Sequence, residues 1–512
     1  MPQRVNGCAR GRRLAPIREL LTGREGIAEA LRPDGQPGWA GIVHAAPHAT
    51  TPMLDLPPGT RPRVVIVGAG HGGLECLDTL EDAAVDVVLV DRNNYHKFQP
   101  LLYQVATAGL DVDDITQPIR HITRSQANAD VRLGLVTAVD LEGRAVVLDG
   151  GERLGYDALV LAPGASTATY GVEGAFEHGF PLKNVPDAVA LRSRVLRQFE
   201  AVALEDGLVE GGALTFVVVG GGPTGVETAG ALCELLAVLE RDFPRVAVDR
   251  ARVVLVDGDQ LPLTGYTPEL RAYTKNTLVH KGTDVRFGVN VSRVTDAGVD
   301  LEDGTHIEAR TVVWAAGVRA NPLCDALSQA HGWEQVGGGR IEVDAALRVS
   351  GLEDVFVIGD AAGARDAEGN LFAQVAIQQG RYVARRIEAA TSRAPDIGPF
   401  EYDDLGQMAT IGRNAAVLQT PGGFTLTGRL AWLGWLAVHL VSLIGFRNRV
   451  SVLLSWLYNY VTYDRGPRLI LTSERPAPDR PPALEAATES RGRAGGSYDR
   501  ALEGEEGKGG EV

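Results

Sequence analysis

The stretch VVIVGAGHGGLE, Val64 to Glu75, returns 152 positions later as FVVVGGGPTGVE, Phe216 to Glu227, matched residue type by residue type. Each copy is a run of four apolar residues, then G-x-G-x-x-G, then the apolar period of a helix. A buried strand entering a helix through such a loop is a phosphate cradle. The first glycine (Gly68, Gly220) permits the tight turn, and the second (Gly70, Gly222) lets a diphosphate approach the backbone. The third (Gly73, Gly225) lets the helix pack on the strand. The anion then rests on a helix N-terminus, where unsatisfied N–H groups and the helix dipole stabilise it.

One such loop is weak evidence, but each copy is followed by the second half of the fingerprint. VDVVLVD ends in Asp91, 23 residues after Gly68, and RVVLVD ends in Asp257 after a longer helix. A carboxylate at such a strand end accepts hydrogen bonds from ribose hydroxyls. Two complete fingerprints imply two dinucleotides, most economically FAD in one and a nicotinamide in the other, and hence a yellow protein. Asp257 favours NADH over NADPH, since a 2′-phosphate within about 4 Å of it is disfavoured by roughly 1 to 4 kcal/mol. Arg252, nearby in sequence, is the residue that could offset this.

The remainder of the chain is consistent with a globular enzyme. Its 512 residues suggest about three folded units, and 45% hydrophobic and 22% charged residues are near globular averages. A net charge of −15 opposes binding to nucleic acid. Cys8, Cys76, Cys233 and Cys324 are too scattered for a metal knuckle or a redox dithiol, so no metal is expected. Residues 1–60 carry seven Arg and no Lys and read as an extension. The Arg12-Arg13 pair has no apolar run behind it and is not read as an export signal, and Met53 offers an alternative start. Residues 473–512, rich in Pro, Gly, Glu and Arg, read as a disordered tail.

The first repeat, together with DRNNYHKFQPLLYQVATAGL (Asp91 to Leu110), YDALVLAPGA (Tyr156 to Ala165), VVWAAGVRANPL (Val312 to Leu323), VFVIGDAA (Val355 to Ala362) and AQVAIQQG (Ala373 to Gly380), resembles type II NADH:quinone oxidoreductases over about residues 63–471. The fingerprints and the GD motif belong to all flavoproteins with two dinucleotide domains. The FQPLLYQVA and AQxAxQQG stretches narrow the resemblance.

The resemblance implies an α/β fold of two Rossmann-like domains, the FAD domain interrupted by an inserted NAD domain, with a C-terminal helical segment for membrane association. The expected division is 61–175 and 331–427 for FAD, 176–330 for NAD and 428–472 for the membrane helices. It adds Gly164, Asp360 and Gln374 to Gly68, Gly70, Gly73 and Asp91 on the FAD side, and Glu227 and Gly317 to Gly220, Gly222, Gly225 and Asp257 on the NAD side. Gln374 and Gln378, one helical turn apart, are placed beside the isoalloxazine and the quinone. An amide can donate to a quinone carbonyl without titrating. Glu227 is carried as a positioning residue between the two rings, because hydride transfer needs no general base. The implied activity is hydride transfer from NADH to FAD and two-electron reduction of a membrane quinone, without proton pumping. Two rival readings are a reductase for a soluble ferredoxin or rubredoxin and a flavin-bearing redox sensor or scaffold. Disulfide and peroxide reduction are excluded by the absence of a cysteine soon after Asp91.

From Leu430 to Phe446 the chain has 17 residues without a formal charge, about 26 Å of helix and short of the roughly 30 Å of hydrocarbon. Ser451, Ser455, Asn459 and Thr462 then form one polar stripe on an apolar helix, as for a helix lying in the interface. Five Arg and one Asp between Arg429 and Arg468 give a local +4, suited to anionic lipid, with Trp432, Trp435, Trp456 and Tyr458 expected at headgroup level. The reading is a peripheral protein of the cytoplasmic face of the membrane, and a homodimer is a further expectation.

Overall fold

In a row of four apolar residues without alternation, every side chain needs cover, which marks a strand buried on both faces. Both such rows become the middle strand of a five-stranded parallel sheet. The computed structural model describes residues 60–364 and 373–472. The expectations for 1–59 and 473–512, including Cys8, the Arg12-Arg13 pair and Met53, lie outside the described residues.

In the first sheet β1 (Arg63–Val67) lies between β2 (Asp86–Asp91) and β4 (Ala158–Leu161), with β3 (Ala129–Leu133) beyond β2. The far edge is β10 (Val355–Val357), so chain from after the second repeat completes the sheet of the first. Helices α1 (His71–Thr79) and α5 (Ala373–Ser392) cross on one face. Their backbones touch, because a Cβ at Gly380 would collide with the Gly72 carbonyl.

The second sheet repeats the plan. β6 (Thr215–Val219) is flanked by β7 (Arg252–Asp257) and β9 (Thr311–Trp314), with β8 (Thr283–Phe287) and β5 (Gly179–Pro181) at the edges. Helices α3 (Val185–Leu204) and α4 (Pro223–Asp242) pack with it. Its core runs on into the short helix α2 (Leu102–Ala106) and the C-terminal elements. Those are an antiparallel sheet of β11 (Gln407–Thr410), β12 (Ala416–Gln419) and β13 (Thr425–Thr427), then α6 (Gly428–Ser442) and α7 (Phe446–Thr462). The expected division puts 331–427 with the first unit, whereas Ala409, Ile411 and Val417 share their core with Trp435 and Trp456.

The C-terminal helices differ from expectation in three respects. Trp432, Trp435 and Trp456 are buried in the body and do not project outward, while Tyr458 is exposed. The reason is polar: the Trp456 Nε1–H donates to Gln104 Oε1 at 2.8 Å and completes a pair inside the protein. The polar side of α7 faces inward as well, except at its end, where Thr462 is exposed and donates to the Tyr458 carbonyl of its own helix. Asn459 donates to the Gly109 carbonyl at 2.7 Å, Ser451 to Asp114 at 2.5 Å, and Asn448 to the Thr116 carbonyl at 2.9 Å. Buried carbonyls left without partners would each be costly, and these side chains supply the donors. Finally, the local +4 is about halved, since Arg465 pairs with Glu234 and Arg468 with Asp242 as well as with Asp464. Among the described residues no helix is long and apolar enough to cross a membrane.

Candidate active site

The two glycine loops match bond for bond. The Gly68 N–H donates to the Val90 carbonyl at 2.7 Å and the Gly220 N–H to the Val256 carbonyl at 2.8 Å. Both glycines turn left-handed, at φ +104° and +111°, a conformation open to glycine at little cost. A Cβ at Gly73 would strike the Gly68 carbonyl oxygen, and one at Gly225 the Gly220 carbonyl oxygen, so the third glycine is where helix meets strand. Beyond the second glycines the space is open among the described residues: a Cβ at Gly70 or Gly222 would meet nothing of them within 4 Å. Each loop therefore leaves room for a diphosphate at the start of its helix, as a dinucleotide requires.

Asp91 and Asp257 stand at the ends of β2 and β7 and hold the loops in place. Asp91 Oδ2 accepts from the Ala69 N–H at 2.7 Å and Asp257 Oδ2 from the Gly221 N–H at 2.5 Å. Arg252 begins the strand that Asp257 ends and is tied to Asp284 at 3.0 Å, so it does not offset the Asp257 charge. Gly164 turns at φ +73° in the loop after β4 with open space beside it. Gly317 follows β9, and a Cβ there would meet the hydroxyl end of the exposed Tyr170 side chain, which would have to swing aside.

Asp360 lies in the turn after β10 and pairs with Lys183 at 3.4 Å, both groups mostly buried. Two residues that the sequence reading passed over fix this arrangement. Gln379 is buried and its Oε1 accepts from the Gly359 N–H at 2.7 Å, locking the turn. Lys97 donates to the Lys183 carbonyl and, at 2.8 Å, to Asn184 Oδ1. Gln374 and Gln378 part company. Gln378 exchanges two hydrogen bonds with the Asp403 backbone, at 2.8 and 2.9 Å. Gln374 Oε1 is buried without a partner among the described residues.

Two further orphans stand near the first loop. The His96 Nδ1–H donates to the Ala69 carbonyl at 2.9 Å, and His71 meets the His96 ring edge-on at 5.1 Å. Among the described residues neither Nε2 has a partner. Burial, then the neighbouring His96, Lys97 and Lys183, push His71 down to about 3, and burial lowers His96 as well. Both rings are neutral at pH 7, and His96 Nε2 is a bare acceptor. Buried polar atoms of this kind call for a polar ligand, so the residues at this loop fit a bound FAD. His71 lies inside the fingerprint and His96 inside a stretch quoted above, so both were visible in the sequence. Nothing in the sequence marked Lys183.

From His71 an aromatic wall leads through Phe98, at 6.0 Å, to His439, at 6.2 Å from Phe98, and on to Trp435, stacked at 4.0 Å. His439 thus packs inside the protein, its Nδ1–H donating to the Trp435 carbonyl at 2.7 Å, and burial lowers it to about 4. Glu227, in the first turns of α4, is buried near the far end of this wall and accepts from the Thr410 N–H at 3.3 Å. Burial pushes its carboxyl up to about 8, against the pull of the Thr410 N–H and the Trp435 indole. Tyr103 and Tyr266 feel its charge and are themselves raised by burial. The described cysteines Cys76, Cys233 and Cys324 are free, and burial holds all three thiols above their ordinary range, so none is primed as a nucleophile.

Two nucleotide cradles on a doubled parallel-sheet plan define a pyridine-nucleotide flavoprotein, and residues 62–380 match the family described as pyridine nucleotide-disulphide oxidoreductase. Residues 405–462 match the NDH2 C-terminal domain. The chain is 38% identical to the type II NADH:quinone oxidoreductase Ndh of Mycobacterium tuberculosis, over 85% of this chain and 96% of that protein. It is 29% identical to the internal alternative NAD(P)H-ubiquinone oxidoreductase A1 of Arabidopsis thaliana, over 87% of this chain and 90% of that protein. The structure of NDH2 from Plasmodium falciparum in complex with NADH shares the fold, with a TM-score of 0.72 at 20% identity, covering 80% of this chain and 100% of that one. The chain belongs to the type II NADH:quinone oxidoreductase family.

Proposed function

We propose that this chain oxidises NADH with a membrane quinone, using FAD held by the first cradle and NADH held by the second, without pumping protons. When bound, FAD supplies acceptance of the hydride and its two-electron delivery to quinone. The chain's own residues bind, orient and exclude water. Gly68, Gly70 and Gly73 seat one diphosphate and Gly220, Gly222 and Gly225 the other. Asp91 and Asp257 are the ribose acceptors, and Asp257, unopposed by Arg252, selects NADH. Lys183 and Gln379 hold Asp360 for the ribitol, with Gly164 beside it. Gln374 keeps a free carboxamide for the ring region and the quinone, while Gln378 serves to anchor the 403 loop. Gly317 and Glu227 border the nicotinamide, with Glu227 carrying its proton through neutral pH.

The outward faces of α6 and α7 are apolar, with Leu430, Leu433, Val441, Phe446, Leu453, Leu454, Leu457 and Val461 all exposed. Arg429 and Arg447 are exposed beside them. This face supports peripheral docking to an anionic lipid surface, which we take to be the cytoplasmic one, and it argues against a soluble protein acceptor. Docking also brings the aromatic wall to the phase in which a long-tailed quinone dissolves.

The observation that carries this reading is the pair of open second glycines, one on each sheet. An anaerobic absorption titration tests it. The purified yellow protein is expected to bleach with one equivalent of NADH and to recover its colour with one equivalent of a short-chain quinone. A colourless protein that retains no FAD after reconstitution, or bleached protein that quinone does not reoxidise, would overturn it.

A further inference from the structure

The second sheet has another cavity, at the end opposite its glycine loop. It has a volume of about 220 Å³ and lies where β5 and β9 begin, whereas Gly220 follows the carboxyl end of β6. Five strand residues at about 3.3 Å each separate the two places by roughly 15 Å. Phe180 and Val312 supply apolar lining. The charged lining among the described residues is three guanidinium groups, Arg194 and Arg197 from α3 and Arg310 just before β9, with Asp296 as the carboxylate, and His178, Thr295 and Thr472 add polar groups. Among the described residues none of the three guanidinium groups makes an ion pair.

Each arginine is held by part of its fork only. Arg194 donates through Nε and Nη2 to the Arg310 carbonyl at 3.1 and 2.5 Å, Arg310 through Nε to the Gly211 carbonyl at 3.1 Å, and Arg197 through Nη2 to the Thr472 carbonyl at 3.2 Å. A guanidinium carries five N–H donors, so these bonds leave others over. Burial and the like charge of Arg310 both push Arg194 down from its ordinary value. Three cations gathered in one cleft against a single carboxylate among the described residues, in a chain of net charge −15, repel one another until an anion joins them. A phosphate group suits them best. It presents oxygens in several directions, carries a charge near −2, and pairs bidentately with guanidinium. The volume admits a phosphate or diphosphate but no dinucleotide.

We propose that this cleft is a further anion site, apart from the two cradles, which binds a small phosphate-bearing ligand independently of the dinucleotides. Calorimetric titration of inorganic pyrophosphate into the full-length, FAD-loaded chain saturated with NAD⁺ tests it, because both cradles are then occupied. Saturable binding at one site per chain is expected, weakened about tenfold or more by Arg310→Gln. Arg197→Glu is expected to weaken it similarly. That exposed side chain can be changed without touching the core, so unchanged flavin content and melting temperature separate lost binding from lost fold. No binding by the parent protein, or binding that survives both substitutions, overturns the proposal. So does binding abolished by NAD⁺, which would locate the anion in the cradle, or tighter binding of citrate than of pyrophosphate, which would reject the phosphate class.

Discussion

Glu227 shows how position and burial give a common residue an uncommon state. Its folded value near 8 stands against an ordinary 4.5, so the native chain keeps a proton there that the unfolded chain releases above about pH 4.5. The native state is then progressively disfavoured as pH rises from 4.5 to 8, by at most about 5 kcal/mol. The melting temperature of the FAD-bound protein is expected to fall between pH 5 and pH 8, and to fall less in Glu227→Gln. Equal slopes would show that the carboxyl ionises freely. In steady-state assays the same substitution is expected to remove an inflection near pH 8 from the profile of kcat/KM for NADH. The third glycines allow a sharper separation. In both cradles an added methyl meets a carbonyl oxygen, but Gly73→Ala is expected to give protein without flavin, whereas Gly225→Ala is expected to stay yellow and bleach only at NADH concentrations raised tenfold or more. Flavin content and anaerobic titration of the two variants read this directly, and the reverse pattern would exchange the cofactors between the cradles.

At the scale of elements, the fold was legible where a function is written into adjacent residues. The glycines, Asp91 and Asp257 act through the backbone of one strand, turn and helix, and their spacing alone placed them. The grip on Asp360 was not legible, because Lys183 and Gln379 arrive from α3's entry and from α5, nearly 180 and 20 positions away in the chain. The C-terminal helices misled for a related reason. Periodicity identified a polar stripe on α7, but which way a stripe faces depends on what lies opposite, and here that is the backbone around Gly109 and Asp114. Trp456 likewise reads as a membrane aromatic by its place in the sequence, and it is Gln104, distant in the chain, that gives it an internal partner. It follows that α7 is a structural clamp on the 102–114 segment as well as an outer surface. Asn459→Leu leaves the Gly109 carbonyl buried without its donor and is expected to cost about 1 to 3 kcal/mol, measured by urea denaturation of the holoenzyme. A change within a few tenths would show that the clamp contributes little.

For the whole molecule, two surfaces of opposite character have to coexist. A net charge of −15 keeps the body in water and repels anionic lipid, yet α6 and α7 expose a continuous apolar face. With Arg465 and Arg468 already neutralised by Glu234, Asp242 and Asp464, local positive charge contributes less to docking than composition suggested, and burial of apolar area has to carry it. Leu453 and Leu457, 50% and 58% exposed and one helical turn apart on α7, test this. At roughly 1.5 to 3 kcal/mol for each leucine taken fully out of water, converting both to Glu is expected to weaken co-sedimentation with vesicles of mixed neutral and anionic lipid by a hundredfold or more. Reduction of ferricyanide by NADH is expected to remain at the parent rate, since neither residue approaches a cradle, and so is reduction of a short water-soluble quinone. Reduction of a long-tailed quinone held in vesicles is expected to fall with the binding. Vesicle binding that persists at full strength in this variant would mean that the apolar face serves another surface, and the membrane contact would have to be sought elsewhere on the chain.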